Sequence, residues 1–262
     1  MKARIAHGAR DAWIDLQRPI DLSIPIEFDG TGPLHFGAPR PVSRPLSVGD
    51  FSGSVATGAS CNCRTISLTP HCNGTHTECV GHLTRESIAA WPIVPQSVLS
   101  ATLVSVVPEQ DAATRDQIIT HEALHSAWPS SVTPRSSALL VRTLPNATSK
   151  RTRDYTSASP PYFTVDAIGL MIARGIEHLV VDLPSIDRTH DAGQLLCHRK
   201  FFGLAPDARS AADAMRPKAT ITELAYIDDT VQDGTFALQI QAPAIDGDAV
   251  PSRPLLYRYA FE

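Results

Sequence analysis

The chain has 262 residues, enough for a substantial core in one α/β domain or in two small ones. Its 43% hydrophobic and 19% charged residues are ordinary for a globular protein, and a net charge of −4 gives no reason to expect nucleic acid or an anionic membrane as partner. The first ten residues are basic but lack the apolar run of a signal peptide, and no stretch approaches transmembrane length, so a cytoplasmic location is expected.

Residues 19–28 alternate in polarity and predict an early strand, and residues 29–60, rich in Gly, Pro and Ser, predict a long extended loop. Arg64–Thr69 alternates as a half-buried strand does. It leads into Leu68-Thr-Pro-His71-Cys72-Asn-Gly74-Thr75-His76-Thr-Glu78-Cys79-Val-Gly-His82, the densest run of chemistry-bearing side chains in the chain. If the backbone stays extended past Pro70, Cys72, His76, Glu78 and His82 share one face while His71, Thr75 and Cys79 share the other. A mixed nitrogen, sulfur and oxygen cluster of this kind suits zinc, with manganese where carboxylates dominate. Gly74 lets the backbone bend or approach an ion. The chain has five cysteines, an odd number, and Cys63, Cys72 and Cys79 crowd this region, which fits reduced thiols or metal ligation better than a disulfide framework.

Further on, Val98–Val107 predicts a buried strand ended by Pro108. Asp116–Trp128 predicts a short helix stopped by Pro129 and carries His121-Glu122-x-x-His125, the spacing of a zinc metalloprotease helix. That helix is short for such a site, and no His-x-x-Gly-x-x-His extension follows. Ser137–Thr143 predicts a core strand, and residues 145–161 a loop or lid. Thr164–Arg174 predicts a helix with Thr164 as N-cap and Gly175 at its end, and Ile176–Asp182 a strand in which His178 is a surface or strand-end residue. Residues 205–218 predict a surface insertion, and Phe236–Pro243 a terminal strand followed by a Gly/Asp turn. With no internal repeat and no linker, the pattern predicts one α/β domain over 1–262, a mixed β-sheet with peripheral helices.

The central stretch resembles the signature His-x-Gly-Thr-His-x-Asp-x-Pro-x-His of the cyclase-like metal-dependent hydrolases, the family of bacterial kynurenine formamidases and isatin hydrolases. Gly74-Thr75-His76 match and His82 falls on the last His; Cys72 stands in the register of the first His, Glu78 replaces Asp and Val80 replaces Pro. Weaker matches follow in the family's order. They are Asp21-Leu-Ser23, Arg142-Thr143, Pro184-Ser185-Ile-Asp187, His198-Arg199, Ile221-Thr-Glu223 and the closing Pro251–Leu255. The resemblance implies a swivelling β/β/α architecture, assembly into homodimers or homotetramers, and a small-molecule substrate. It also implies His198 and Glu223 as metal ligands beside His76 and Glu78, with one or two Zn2+ or Mn2+ ions, and His82 as the catalytic acid/base.

The first ligand stays open between two residues. A regular strand puts the Cys72 thiolate on the face of His76 and Glu78, whereas one bulge between Pro70 and Gly74 brings His71 there instead. The expected activity is hydrolysis of an amide, cyclic amide or lactone, arylformamidase-like, by metal-activated water. Two other readings remain beside the protease one. They are a thiol-redox protein built on Cys61, Cys63 and Cys72, and an inactive relative, since the aromatic substrate contact that relatives carry early in the chain cannot be placed among Phe28, Phe36 and Phe51.

Overall fold

The unbroken apolar run Ala138–Val141 belongs to a strand buried on both faces, as strands inside a parallel sheet are. A computed structural model describes residues 1–7, 10–28, 30–128 and 136–261. A nine-stranded mixed sheet runs in the order Ala249–Pro251, His76–Glu78, Thr220–Glu223, His178–Val181, Ala138–Thr143, Leu99–Val106, Gly234–Gln241, Arg253–Tyr257 and Ile20–Asp21. The four strands from Thr220–Glu223 to Leu99–Val106 are mutually parallel and the flanking pairs antiparallel. The expected α/β fold with one large mixed sheet is borne out.

Side chains alternate along these strands, so each face of the sheet builds its own core. Val104, Leu139, Val141 and Leu179 pack under Phe163 of the short strand Tyr162–Phe163 and under Ile168, Met171, Phe201 and Phe202, brought by the helices Val165–Ala173 and Leu196–Phe202. Leu103, Leu140 and Val180 face the other way and meet Ile227, Phe236, Leu238 and Leu256. Thr164 precedes the first of these helices, and Gly175 (φ 81°) turns the chain out of it, as the sequence predicts.

Four local expectations are corrected. The chain past Pro70 is not extended: Pro70–Asn73 forms one helical turn with Pro at its start, where the missing N–H costs nothing. Arg64–Ser67 is a strand but exposed throughout rather than half-buried. It pairs with Val42–Pro45, and Ser47–Val48 pairs with Phe51–Ser52, so residues 29–60 are not simply an extended loop. These strands sit largely in solvent, which removes the alternation that would have revealed them. Gln117–Ile119 is a strand, and the helix spans only His121–Ala127, with the Thr120 hydroxyl accepting from the Ala123 N–H. Pro129, the expected stop, lies outside the described residues.

Residues 145–161 are fastened to the sheet by a buried ion pair. Lys150 Nζ donates to Asp182 Oδ2 at 2.7 Å and to the carbonyl and hydroxyl of Thr143. Among the described residues no helix is long and apolar enough to cross a membrane.

Candidate metal centre

The strand His76–Glu78 sits between Thr220–Glu223 on one side and Ala249–Pro251 on the other, with Glu223 opposite His76 and Ala249 opposite Glu78. Residues two apart on a strand share a face, so His76 and Glu78 point together. The strand is held by its threonines. Thr75 Oγ1 donates to the Leu224 carbonyl at 2.5 Å and accepts from the Ile24 N–H at 2.7 Å, and Thr77 bonds Thr222 and Ser252. Gly74 has an extended backbone, and a Cβ there would lie 2.9 Å from the Ile26 side chain and 3.1 Å from the Ile24 carbonyl. Its role is close approach rather than a bend.

Four further elements deliver side chains to this face. His71 comes from the Pro70–Asn73 turn, His82 from the 3-10 turn Val80–Leu83, His198 from Leu196–Phe202, and Asp248 from the loop before Ala249. His71 Nδ1 is 3.1 Å from Glu78 Oε2, His198 Nε2 is 2.9 Å from Glu78 Oε1, and His82 Nε2 is 3.9 Å from Glu78 Oε2. Glu223 lies 3.5 Å from both His76 Nε2 and His198 Nε2. Three overlapping donor groups result, each with its atoms within 4.8 Å of one another: His71, His76 and Glu78; His71, His82 and Asp248; Glu78, His82 and His198. Cys72 and Glu223 belong to none of the three, and Glu223 joins through its contacts with His76 and His198. His71, reached by the helical turn rather than by a bulge, is the residue that brings a donor atom to the place the sequence left open.

The residues fit a divalent ion. His76 Nε2, both Glu78 oxygens and His198 Nε2 are buried and make no well-aligned hydrogen bond, although they lie close to one another. Buried polar atoms of that kind ordinarily find partners. The outer nitrogens of the same rings are fixed. His76 Nδ1 is 3.0 Å from the Gly74 carbonyl, and His198 Nδ1 is 2.6 Å from Asp187 Oδ2, a carboxylate that also accepts the N–H groups of Cys197 and His198. Each arrangement turns Nε2 and its lone pair inward, as metal-binding histidines require.

The electrostatics are those of a cation site. Burial works to raise the Glu78 carboxyl, but His82 and His198 outweigh it and hold it well below its usual range. Burial likewise opposes the protonation of His198, and Glu78 and Asp187 overcome it, raising it well above an ordinary imidazole. His71 is pushed up to about 10, since the Asp248 and Glu78 contacts exceed its burial cost. Asp248 is held below its usual range, first by its hydrogen bonds to His71 and His82. In the metal-free chain the carboxylates thus hold protons on imidazoles; a bound ion supplies that positive charge instead and displaces the protons.

The rival motifs are placed elsewhere. None of the donor groups among the described residues includes His121 or His125, which lie on a seven-residue helix with their rings stacked 5.9 Å apart. All five cysteines are free; burial pushes the thiols of Cys72 and Cys79 up to about 11, which makes them poor nucleophiles at neutral pH. His178 is a buried strand residue bonded to Thr220. Sequence reasoning missed the parts played by Asp248 and Asp187, although Asp187 stands in the Pro-Ser-x-Asp turn and Asp248 in the Gly/Asp turn.

The family model of the Putative cyclase family matches residues 20–188. The chain belongs to that family. Among solved structures, a predicted metal-dependent hydrolase from Bacillus stearothermophilus superposes with a TM-score of 0.60 at 17% identity, covering 92% of this chain and 98% of that one. Isatin hydrolase A from Ralstonia solanacearum gives 0.62 at 16% identity, covering 92% and 91%. An isatin hydrolase bound to the product analogue thioisatinate gives 0.54 at 12% identity, covering 92% and 93%. At such identities the likeness is one of fold. No curated protein matches the chain in sequence.

Proposed function

We propose that this chain is a metal-dependent hydrolase that cleaves the amide or cyclic amide bond of a small molecule, such as an N-formyl aryl amide or an isatin-like ring. The observation that carries the reading is the convergence of buried, unpartnered donor atoms of His76, Glu78 and His198 beside His71 and Glu223. These residues would hold one or two ions, and a nitrogen–oxygen set of this composition suits zinc or manganese. When bound, a divalent ion would lower the pKa of water and polarise a carbonyl oxygen.

The chain's own part in the proton transfers falls to His82. Its Nδ1 is 3.2 Å from Asp248 Oδ2, and its Nε2 faces Glu78. With Nδ1–H donating to Asp248, Nε2 is left as the acceptor, the tautomer a general base needs. His82 is partly exposed, as a group that meets substrate must be. The same Nε2 can return its proton to a leaving nitrogen. Support for the substrate class comes from the fold shared with isatin hydrolases.

Assembly into a dimer or tetramer is part of the proposal, supported by the exposed Val48, Phe51, Val55 and Ile66 clustered in the 42–67 segment. The test is an assay of purified, metal-loaded protein against N-formyl aryl amides, cyclic imides and isatin, repeated after chelation and after metal is restored. Hydrolysis of at least one class, lost and regained with the metal, is the expected result. No hydrolysis in any state contradicts the proposal.

A further inference from the structure

Among the described residues, buried side-chain atoms without a hydrogen bond occur in the metal centre and at two residues outside it, His35 and Thr189. Thr189 is 8% exposed, and its hydroxyl has no partner. A hydroxyl can donate and accept at once, so leaving it unpaired in the interior is unfavourable unless something outside the chain completes it. Thr189 borders a recess of about 50 Å³, which Ser159 and Pro160 of the 145–161 loop also line. Tyr162, Arg188 and His190 line both this recess and a cavity of about 600 Å³, so the two adjoin. A cavity of that volume is in the range of small-molecule sites.

The larger part has an apolar wall that includes Phe163, Val165 and Leu196. Val165 and Leu196, each the first residue of its helix, are left exposed there. The recess is suited to an anion. Arg188 Nε is 2.8 Å from Asp116 Oδ2, the oxygen that also accepts from the Tyr162 hydroxyl at 3.1 Å. That contact fixes the guanidinium through one nitrogen and leaves its two terminal nitrogens without a partner among the described residues. The carboxylates around the cavity are engaged elsewhere. Asp116 has those two donors, Asp187 accepts from His198 and the Cys197 N–H, and Asp191 accepts the N–H groups of Gly193 and Leu195. Asp187 is the wall that the cavity shares with the metal centre, since its Oδ2 is 2.6 Å from His198 Nδ1.

We propose that this cavity and recess form a second ligand site, which takes a small organic carboxylate with an apolar body. The carboxylate sits in the recess on Arg188 and Thr189, and the body lies against Tyr162, Val165 and Leu196. Water would satisfy the Thr189 hydroxyl alone; the unpaired guanidinium nitrogens beside the same recess select a carboxylate, which accepts two parallel hydrogen bonds from them. The inference goes beyond the hydrolase reading and does not depend on it, because side chains and not the metal hold the anion.

The test is calorimetric titration of wild type, Arg188→Gln, Thr189→Val and Leu196→Trp with phenylacetate and with its neutral counterpart phenylacetamide. Each protein is titrated zinc-loaded and again after chelation, and its melting temperature is taken. Wild type is expected to prefer phenylacetate by about ten-fold or more in both states, the scale of a hydrogen bond to a charged group. Arg188→Gln and Thr189→Val should each weaken phenylacetate by about ten-fold with little effect on phenylacetamide. Leu196→Trp, which fills the cavity, should weaken both probes. Thr189→Val should melt no lower than wild type, because the hydroxyl it removes is unpaired in the free protein. A wild type that does not bind phenylacetate, or does not prefer it, overturns the proposal. So does phenylacetate binding that survives Arg188→Gln and Thr189→Val unchanged, or that disappears on chelation, which puts the carboxylate on the metal. Indifference of both probes to Leu196→Trp overturns it as well. A Thr189→Val protein that melts lower or fails to fold makes the hydroxyl structural and also overturns it.

Discussion

Asp248 Oδ2 sits 3.2 Å from His82 Nδ1, joining residues 166 apart in the chain. The same oxygen is 2.9 Å from His71 Nε2, so one carboxylate orients both imidazoles. Asp248→Asn removes the charge and lets the amide present a donor to His82, favouring the wrong tautomer. Turnover should fall by about a hundred-fold, the scale of general acid–base assistance, with metal content retained. Steady-state kinetics with metal analysis check this, and metal loss would make Asp248 a ligand instead.

His71 and Cys72 are separated by paired substitutions. His71 places Nδ1 3.1 Å from Glu78, while Cys72 joins none of the donor groups. His71→Ala should lower metal affinity about ten-fold or more, and Cys72→Ser should leave it unchanged. The reverse pattern, read by titration with zinc, makes the thiolate the ligand.

The helix His121–Ala127 supplies a control. His121→Ala combined with His125→Ala should leave metal content and turnover unaltered, because these rings lie outside the donor groups. Loss of tightly bound metal in the double variant favours the protease reading.

The protonation of His71 sets a pH dependence. In the metal-free protein it titrates near 10 against 6.5 in an unfolded chain, so its contribution to stability is complete below about pH 6.5 and is lost as pH rises through 10. The melting temperature of the chelated protein should decline from pH 7 to 10. Metal uptake displaces that proton, so zinc affinity should rise over the same range while the loaded protein shows the smaller decline. Parallel melting curves for the two forms contradict this account of the charge balance.

The parts of the site legible in the sequence are those whose geometry is local. His76 and Glu78 share a face because strand side chains alternate, and the spacing alone says so. His198 and Glu223 became visible only through the family's pattern, since nothing near them in the chain marks them as partners. The turn at Pro70–Asn73 is neither of the two forms that the sequence leaves open there, a regular strand or a single bulge, although Thr69 before a Pro at the first helical position is a recognisable start. Asp248 lies in a segment without periodicity, and its role exists only once the sheet brings Ala249–Pro251 beside His76–Glu78. Contacts of such sequence separation leave no local trace.

The central claim is that the face of the His76–Glu78 strand binds a catalytic divalent ion. The most direct measurement is the metal stoichiometry of purified wild type and His76→Ala by elemental analysis, with hydrolytic rate taken on the same samples. His76 Nε2 is buried, unpartnered and 3.5 Å from Glu223, so its removal should strip the metal and abolish turnover together. A His76→Ala protein that keeps stoichiometric metal and full activity contradicts the account.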